Sequence, residues 1–488
     1  MSQHLSFLHR PLGISLLLCG VLLWSDCGRQ QPGTPESDVA AANHQDNEPG
    51  ATAIKPETSG ALTVEATVVF GGTDEALPSI SDKDSGKNKK EKGPGHNGRW
   101  RKRRTPGPTQ QLTEEQQEAI ERLEAIGYLS GTEEGSGETG VIRYDRQRAC
   151  QGLNFFTSGH GPEAILMDME GKILHQWRRD FRDVWPNYSK KWVRNHSGSQ
   201  YWRRAYLYEN GDILAIFEGQ GLVKLDKHSN ILWATDCRAH HDLEVMPGGD
   251  VYVLTREARM IPRINPDEPI LEDFVSILDE QGREKHRVSV LECVENSNEY
   301  REFMLERFPK EGDIFHTNSL RVLRGIIADR AEAFQAGRIL TSMWHLSCIA
   351  VLDLEAETVV WAKRGVFRRQ HDPRILPNGN LLLFDNSGLG VHSQVLEYDV
   401  PTMDVKWSYQ GMEEDPFYSK TNGASRRLAN GNTLISESDN GRAFEVTPEG
   451  EIVWEYTNPH RAGENGEFIA VIPEMIRLAP DFPVDWLE

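Results

Sequence analysis

The chain has 488 residues, with 54 basic and 74 acidic side chains, so its formal net charge is −20. This length allows one large domain or two ordinary ones. The acidic balance argues against a nucleic-acid-binding surface over the whole protein. Six cysteines without CxxC or Cys/His spacing exclude a zinc ribbon or a dense disulfide scaffold, and no apolar run suits a multi-pass membrane protein.

The N-terminus resembles an export signal. An apolar run over 12–24 follows a short segment that carries Arg10, and it is too short for a comfortable spanning helix. We therefore predict a signal peptide or membrane anchor over 1–27, and a periplasmic or extracellular location; a buried core helix and lipidation at Cys27 are the weaker alternatives. Export would permit disulfides, with the pairing left open, among Cys150, Cys237, Cys293 and Cys348.

A linker follows the signal. Residues 28–112 are rich in Gly, Pro, Ser and acidic residues and then turn basic from Lys87 to Arg104, a composition that cannot bury enough apolar surface to fold. The basic block is predicted to be solvated, although anionic headgroups or nucleic acid would also suit it.

A short helix is predicted from Thr113. Thr113 and Gln116 form a capping box, Gly127 offers a stop, and apolar residues recur at helical spacing at Ile120, Leu123 and Ile126. One apolar stripe on a short helix needs a partner surface, so we expect the segment 113–139 to dock on the main domain.

The rest of the chain, 140–488, repeats a hairpin built of two β-rich runs around an Asp and a turn, often ending in Trp. Six copies lie at 165–177, 222–233, 275–282, 349–361, 395–407 and 444–454, the last with Thr447 in place of the Asp. A second hairpin type, around Asn-Gly or an equivalent, alternates with the first, for example at 208–214 and 376–383.

Two hairpins per unit give four strands, and six such units in series predict an all-β, six-bladed β-propeller. We interpret the recurring tryptophans as core packing between blades. The extra residues between about 292 and 340 are expected to form loops on one face.

Polar residues recur in one register of these units. His241 and His371 each lie nine residues before the last residue of the turn motif, and Arg203 holds the same place in an earlier unit. His316 and Asn318 precede a matching strand in the unit with the insertion. Because equivalent positions of a propeller face its axis, these side chains are expected to share an axial pocket.

Imidazoles, a guanidinium and an amide suit an anion with several oxygens. A transition metal is a weaker alternative because no short ligand spacing supports it, so neither a metal nor a cofactor is expected. Asp242 and Asp372 follow the histidines directly, and either orient the imidazoles or simply close turns.

At this point the chain resembles the bacterial arylsulfotransferase (aryl-sulfate sulfotransferase) family over about 142–460. The resemblance is carried by the motifs at 157–168, 240–245, 313–320, 368–373, 376–386, 429–435 and 444–456. The family fold is a six-bladed propeller, in agreement with the repeat count.

The resemblance implies a sulfotransferase that moves a sulfuryl group from a phenolic sulfate ester to another phenol, without a nucleotide donor. The family route is ping-pong, through a transiently sulfated histidine that resembles His371 by motif position. The other family site residues resemble His316, Asn318 and either His240 or His241. A neutral imidazole can attack sulfur, and fixed donors or a protonated imidazole can stabilise the charge that develops.

The chain departs from the family at one position. Where the family usually carries an arginine, this sequence has Trp344 followed by His345. His345, Arg203 or Arg369 would have to supply the substrate-binding cation. The alternative function is therefore a non-catalytic propeller that binds a ligand or protein partner in the same axial pocket, or funnel. A quinone-cofactor dehydrogenase is a weaker third hypothesis.

Overall fold

The computed structural model describes residues 112–124, 131, 133–134, 137–306, 308–388, 390, 392–412, 415, 417–463 and 465–487. The predicted signal segment, nearly all of the predicted linker, and Gly127 lie outside these ranges. No helix within them is long and apolar enough to cross a membrane.

Helices are few and short. The α-helices are α1 (Glu114–Glu124), α2 (Phe181–Val184), α3 (Lys190–Asn195), α4 (Val290–Asn296) and α5 (Arg301–Leu305), with 3-10 turns at Ser197–Ser199, Glu332–Phe334, Ser438–Asn440 and Asp485–Leu487.

Strands make up most of the regular secondary structure of the described residues. In chain order they are β1 (Gly140–Tyr144), β2 (Leu153–Thr157), β3 (Glu163–Met167), β4 (Ile173–Arg178), β5 (Trp202–Leu207), β6 (Ile213–Phe217), β7 (Gly221–Leu225), β8 (Ile231–Thr235), β9 (Ala239–Val245), β10 (Val251–Ile261), β11 (Asn265–Leu278), β12 (Glu284–Ser289), β13 (Gly312–Asp313), β14 (Thr317–Val322), β15 (Ile339–Met343), β16 (Cys348–Asp353), β17 (Thr358–Arg364), β18 (His371–Ile375), β19 (Asn380–Asp385), β20 (Gln394–Asp399), β21 (Val405–Tyr409), β22 (Ala424–Arg427), β23 (Thr433–Glu437), β24 (Arg442–Val446), β25 (Ile452–Thr457), β26 (Arg461–Ala462), β27 (Phe468–Ile469) and β28 (Met475–Leu478).

These strands form the six-bladed β-propeller expected from the repeats. Blades 1 to 5 begin with β5, β9, β14, β18 and β22, and each continues through the next three strands as an antiparallel meander. Blade 6 has the order β28-β2-β3-β4, and β1 adds a fifth strand to blade 5 beside β25. The propeller is therefore closed twice by strands from opposite ends of the described chain.

The recurring tryptophans join neighbouring blades, as expected. Trp177 of blade 6 and Trp454 of blade 5 are fully buried, and their indole Nε1 atoms donate to Gly211 O of blade 1 and Met169 O of blade 6, at 2.9 Å each. Trp233 and Trp407 reach the next blades in the same way, at 3.0 and 2.8 Å. Each indole thus packs and also satisfies its one polar atom.

The insertion at 292–340 contains more than the loops that we expected. It includes most of α4, all of α5, and β14, the innermost strand of blade 3. Val290, Leu291, Val294 and Met304 of the two helices are buried in one cluster with residues of blades 2 and 3. An apolar stripe at helical spacing explains why these residues pack as helices.

Helix α1 docks on blade 2. The capping box is formed, because Thr113 Oγ1 accepts from Gln116 N at 3.1 Å and Thr113 N donates to Gln116 Oε1 at 3.2 Å. Ile120 packs against Ala258 and Leu271 of the long β10–β11 hairpin.

The four cysteines of the propeller are free thiols.

Candidate active site

The inner strands begin on one face of the propeller, and the residues at these starts are those singled out by the register. Arg203 is the second residue of β5, His241 the third of β9 and His371 the first of β18, and His316 directly precedes β14. All of them are buried or partly buried. The structure thus places these four residues in one axial cluster.

His371 is held by Asn386. Its Nδ1 lies 2.8 Å from Asn386 Oδ1, while Asn386 Nδ2 donates to Ser419 O at 2.7 Å and to Asn422 O at 2.8 Å. These two bonds orient the amide, so Oδ1 faces the ring and Nδ1 must carry the hydrogen. The Nε2 lone pair is then left without a partner among the described residues.

The His371 side chain is 2% exposed. Burial lowers its pKa to about 3, and the charges of Arg203 and His316 act in the same direction. His371 is therefore a neutral imidazole near pH 7, with Nε2 unprotonated. Burial also means that a ligand must displace neighbouring groups to reach this atom.

His240 and His241, which the sequence did not separate, form a pair with their Nδ1 atoms 2.8 Å apart. The His241 ring centroid lies 5.0 Å from that of His316, whereas His240 Nε2 lies 3.5 Å from Asp273 Oδ1. His241 therefore faces the other axial histidine and His240 stands behind it. Burial lowers the pKa of both well below the usual value.

His316 is bound to a carboxylate. Its Nδ1 lies 2.7 Å from Asp313 Oδ2, and its backbone N–H donates to Asp313 Oδ1 at 3.0 Å. Burial alone would raise the pKa of Asp313, but the charge and the hydrogen bond of His316 hold it below its usual range. An imidazole joined to a partly buried carboxylate is suited to exchange a proton.

Three further candidates, Trp344, His345 and Arg369, lie together at the rim, next to His316. The rings of Trp344 and His345 each lie 5.3 Å from the His316 ring, and the guanidinium of Arg369 lies 4.6 Å from the Trp344 ring centroid. Arg369 and His345 are exposed and Trp344 is half-buried. Arg369 thus places a positive charge on the side chain that replaces the family arginine.

Arg203 supplies a buried cation. The residue is 5% exposed, its Nη2 donates to Asn422 Oδ1 at 2.6 Å, and its Nε has no hydrogen-bond partner among the described residues. Glu218 Oε2 lies 3.9 Å from that Nε, and burial raises the pKa of Glu218. Through Asn422 and Asn386, Arg203 is connected to the His371 ring.

Asn318 differs from expectation in one detail. Its Nδ2 donates to Gln370 O at 3.0 Å, and the atom left without a partner in the described part of the chain is Oδ1. Since Oδ1 is an acceptor, Asn318 is better suited to bind a hydroxyl than a sulfuryl oxygen.

Backbone strain is concentrated at the same place. His241 has a φ of 52° and His316 a φ of 53°, in the region that favours glycine. Such conformations cost about 1–3 kcal/mol each and persist where the surrounding structure imposes them, often at functional sites.

A second ring of residues lies on the same face of the propeller, and among its members only Trp344 was a candidate from the sequence. Its members each follow the positive-φ glycine of the turn motif by seven residues: Glu218, Arg256, Trp344, Asn386 and Ser438. All of them directly follow the second strand of their blade, except Arg256, which lies within the longer β10. The same register argument that selects His241 and His371 would have found Asn386, had it been applied beyond the first strand.

The open question about Asp242 and Asp372 is answered by Arg321. The Asp242 carboxylate lies 2.5 Å from Arg321 Nη1, and Arg321 Nη2 bonds the Asp372 carboxylate. Arg204 and Arg374 also pair with these acids, at 2.9 and 2.8 Å. The two carboxylates thus connect inner strands to one another. None of these four ion pairs involves the imidazole of His241 or His371.

Two groups in the axial cluster have the donor types of a metal site: Glu218 with His240 and His241, and Asp313 with His316 and His345. Their ligand atoms lie within 4.8 Å of one another in each group. In both groups, however, ring nitrogens already hydrogen bond within the protein, as between His240 and His241 or between His316 and Asp313.

The arylsulfotransferase (ASST) family profile matches residues 204–459, which is more than half of the chain and includes all the axial histidines. The chain belongs to the arylsulfotransferase family. Family membership implies sulfuryl transfer with phenolic substrates at the level of the family. None of the curated proteins matches the chain.

Solved structures resemble this family member only in outline. A protein of unknown function from Bacteroides caccae has a TM-score of 0.42 at 10% identity, covering 67% of this chain and 98% of its own. A virginiamycin B lyase from Staphylococcus aureus has a TM-score of 0.36 at 9% identity, covering 66% of this chain and 88% of its own. Likenesses at these scores carry no conclusion about this chain.

Proposed function

We propose that this protein is an exported arylsulfotransferase that moves a sulfuryl group from a phenolic sulfate ester to a phenolic acceptor, by way of a sulfohistidine at His371. The observation that carries the proposal is the His371–Asn386 bond, which leaves Nε2 unprotonated. Export rests on the apolar run at 12–24 alone.

In the first half-reaction, His371 Nε2 attacks sulfur, an N–S bond forms, and the bond between sulfur and the phenolic oxygen breaks. The departing phenolate takes a proton from an axial imidazole, for which His316 is favoured by its contact with Asp313. In the second half-reaction, an acceptor phenol gives a proton to that imidazole, its oxygen attacks sulfur, and the N–S bond breaks.

Charge on the sulfuryl oxygens requires fixed donors. Arg203 is the best placed of the three candidate cations, because it is buried, its Nε has no hydrogen-bond partner among the described residues, and its charge acts on His371. Arg369 and His345 lie at the rim, where the aryl group of the substrate would enter beside Trp344. Asn318 Oδ1 is suited to accept a hydrogen bond from the hydroxyl of the incoming phenol.

The test is intact-mass analysis of the protein after brief incubation with an aryl sulfate ester. We expect the mass to increase by one SO₃ group, located on His371 by peptide mapping and discharged by added phenol. The variant His371→Ala should fold but form no adduct and release no phenol. The exposed His392 provides the matched control, since His392→Ala should form the adduct at the wild-type rate.

One observation favours a second function. Trp344 stands where the family usually has an arginine, so the cation of that position is missing from this sequence. The same funnel would then bind a ligand or a protein partner without turnover. No adduct and no phenol release across a panel of donors would favour this binding function, and full activity of His371→Ala would rule out the covalent route.

A further inference from the structure

A third group of metal-binding residue types lies away from the axial histidines, at the junction of blades 5 and 6. His160 lies in the turn between β2 and β3, Glu163 is the first residue of β3, and His460 lies between β25 and β26. One ligand atom of each lies within 4.8 Å of the other two. None of the three takes part in the proposed sulfuryl transfer.

The carboxylate of this group is preformed. Glu163 Oε1 lies 3.0 Å from His160 Nε2, and its side chain is only 8% exposed. The other oxygen, Oε2, lies 3.4 Å from Arg178 Nη1. Arg178 therefore neutralises one side of the carboxylate and leaves Oε1 directed at the imidazole.

The far side of the His160 ring is also held. Its Nδ1 lies 2.8 Å from Ser158 Oγ, which accepts a further hydrogen bond from Asn458 Nδ2 at 2.8 Å. Asn458 Nδ2 also donates to Ala470 O at 2.8 Å. A histidine ligand of a metal usually has such a partner on its second nitrogen, because the partner fixes the ring orientation and the tautomer.

His460 completes the group from the other side. Its ring stacks on His160 with centroids 3.7 Å apart and an interplanar angle of 5°. No described residue hydrogen bonds to its ring nitrogens. Since lone pairs of imidazole nitrogens lie in the ring plane, parallel rings do not point at one ion, so His460 has to turn about its Cβ–Cγ bond to bind one. This rotation breaks the stack on His160, but no hydrogen bond to a described residue opposes it.

We propose that His160, Glu163 and His460 form a binding site for a divalent transition-metal ion of the Zn²⁺ type. Two imidazole nitrogens and one carboxylate oxygen are a ligand set for zinc and its neighbours, whereas Ca²⁺ and Mg²⁺ require more oxygen ligands. Binding replaces the proton between His160 Nε2 and Glu163 Oε1, and that proton leaves to solvent. Water fills the remaining position.

The site joins two parts of the chain that are far apart in sequence. His160 and Glu163 belong to the N-terminal strands of blade 6, and His460 belongs to the connection that leads to β28, the inner strand of the same blade. An ion at this point would fasten the closure of the propeller. We therefore expect binding to raise the unfolding temperature of the whole domain.

The experiment is titration of the chelator-treated full-length chain with Zn²⁺, followed by calorimetry and by metal content after dialysis. We expect one tight equivalent, which His460→Ala and Glu163→Gln each weaken at least about 10-fold. His392→Ala, which removes an exposed histidine elsewhere, and His316→Ala, which removes an axial one, should both retain it. Unfolding curves without metal show whether the variants fold.

The proposal would be overturned if the wild-type protein bound no equivalent of Zn²⁺. It would also be overturned if a folded His460→Ala variant bound Zn²⁺ as tightly as wild type. Loss of the equivalent in His316→Ala alone would also overturn it, because the ion would then lie at the axis. The result is independent of sulfuryl transfer, since the adduct at His371 is measured with chelator present.

Discussion

At the scale of single residues, the chemistry of His371 depends on an amide. Asn386 uses both hydrogens of its Nδ2 for backbone carbonyls and offers only Oδ1 to the ring. The hydrogen is therefore confined to Nδ1 and the lone pair to Nε2. Asn386 is a positioning residue, because it acts on sulfur only through His371.

Replacing Asn386 by Ala should reduce the rate of adduct formation by about 100-fold or more, since the wrong tautomer of a catalytic histidine costs rate on this scale. Asn386→Asp keeps an acceptor for Nδ1–H but adds a negative charge, which raises the pKa of His371. The measurement is the pH profile of adduct formation, in which Asn386→Asp should show an acid limb at higher pH than wild type.

Asn440→Ala is the control for this prediction. Asn440 Nδ2 also donates to a backbone carbonyl, Tyr418 O at 3.2 Å, but its side chain contacts none of the axial histidines in a described hydrogen bond. It should change stability without shifting the pH profile. If both variants behave alike, Asn386 has only a structural role.

At the scale of elements, the inner strands are tied together by buried charges. Arg321 of β14 bonds Asp242 of β9 and Asp372 of β18, so one guanidinium spans blades 2, 3 and 4. Glu474, next to β28, pairs with Arg204 of β5, Arg374 of β18 and Arg426 of β22, at 2.6–2.7 Å. The site histidines directly precede two of these anchored aspartates, so the network determines where their backbones begin.

Arg321→Met should lower the free energy of unfolding by about 3–5 kcal/mol, because it leaves two buried carboxylates without their shared cation. The measurement is urea unfolding at pH 7. Combining Arg321→Met with Asp372→Asn should recover part of the loss.

The matched control is Arg324→Met, which removes a half-exposed arginine paired with Glu244 just beyond the same strand. A surface pair of this kind contributes about 0–1 kcal/mol. Equal effects of the two substitutions would show that the axial network does not support the inner strands.

At the scale of the whole molecule, closure of the propeller buries His240, His241 and His371 at its axis. Burial lowers the pKa of His371 to about 3, whereas an unfolded histidine titrates near 6.5. Between these values the unfolded chain binds a proton that the native protein does not, so stability falls as the pH is lowered through this window.

We therefore expect His371→Gln to be less sensitive to acid than wild type. One proton changes the slope of the unfolding free energy by about 1.4 kcal/mol per pH unit, and the difference between the two proteins should develop from pH 6.5 down to pH 4. Urea unfolding across this range measures it. His392→Gln, at an exposed site, should keep the wild-type slope, and an unchanged slope in His371→Gln would contradict a neutral, buried imidazole.

The local features of this protein could be predicted from its sequence. The six repeated hairpins form the third and fourth strands of the six blades, the Thr113 capping box is present, and the nine-residue spacing selects Arg203, His241 and His371 at the starts of inner strands. Turns, caps and strand alternation depend on neighbouring residues in the chain, and the turns and strands recur in all six units of the repeat.

Only the tertiary structure decided which distant groups meet. The bond from Asn386 to His371 spans 15 residues, the bond from Arg203 to Asn422 spans 219, and the pairing of β28 with β2 closes the ring. The sequence did not distinguish His240 from His241 and did not show which atom of the Asn318 amide is free, because ring orientation and amide direction depend on partners from other blades. Local spacing thus determined the blades and their register. Closure of the propeller determined the tautomer of His371, the burial that lowers the histidine pKa values, and the hydrogen-bond partners at the axis.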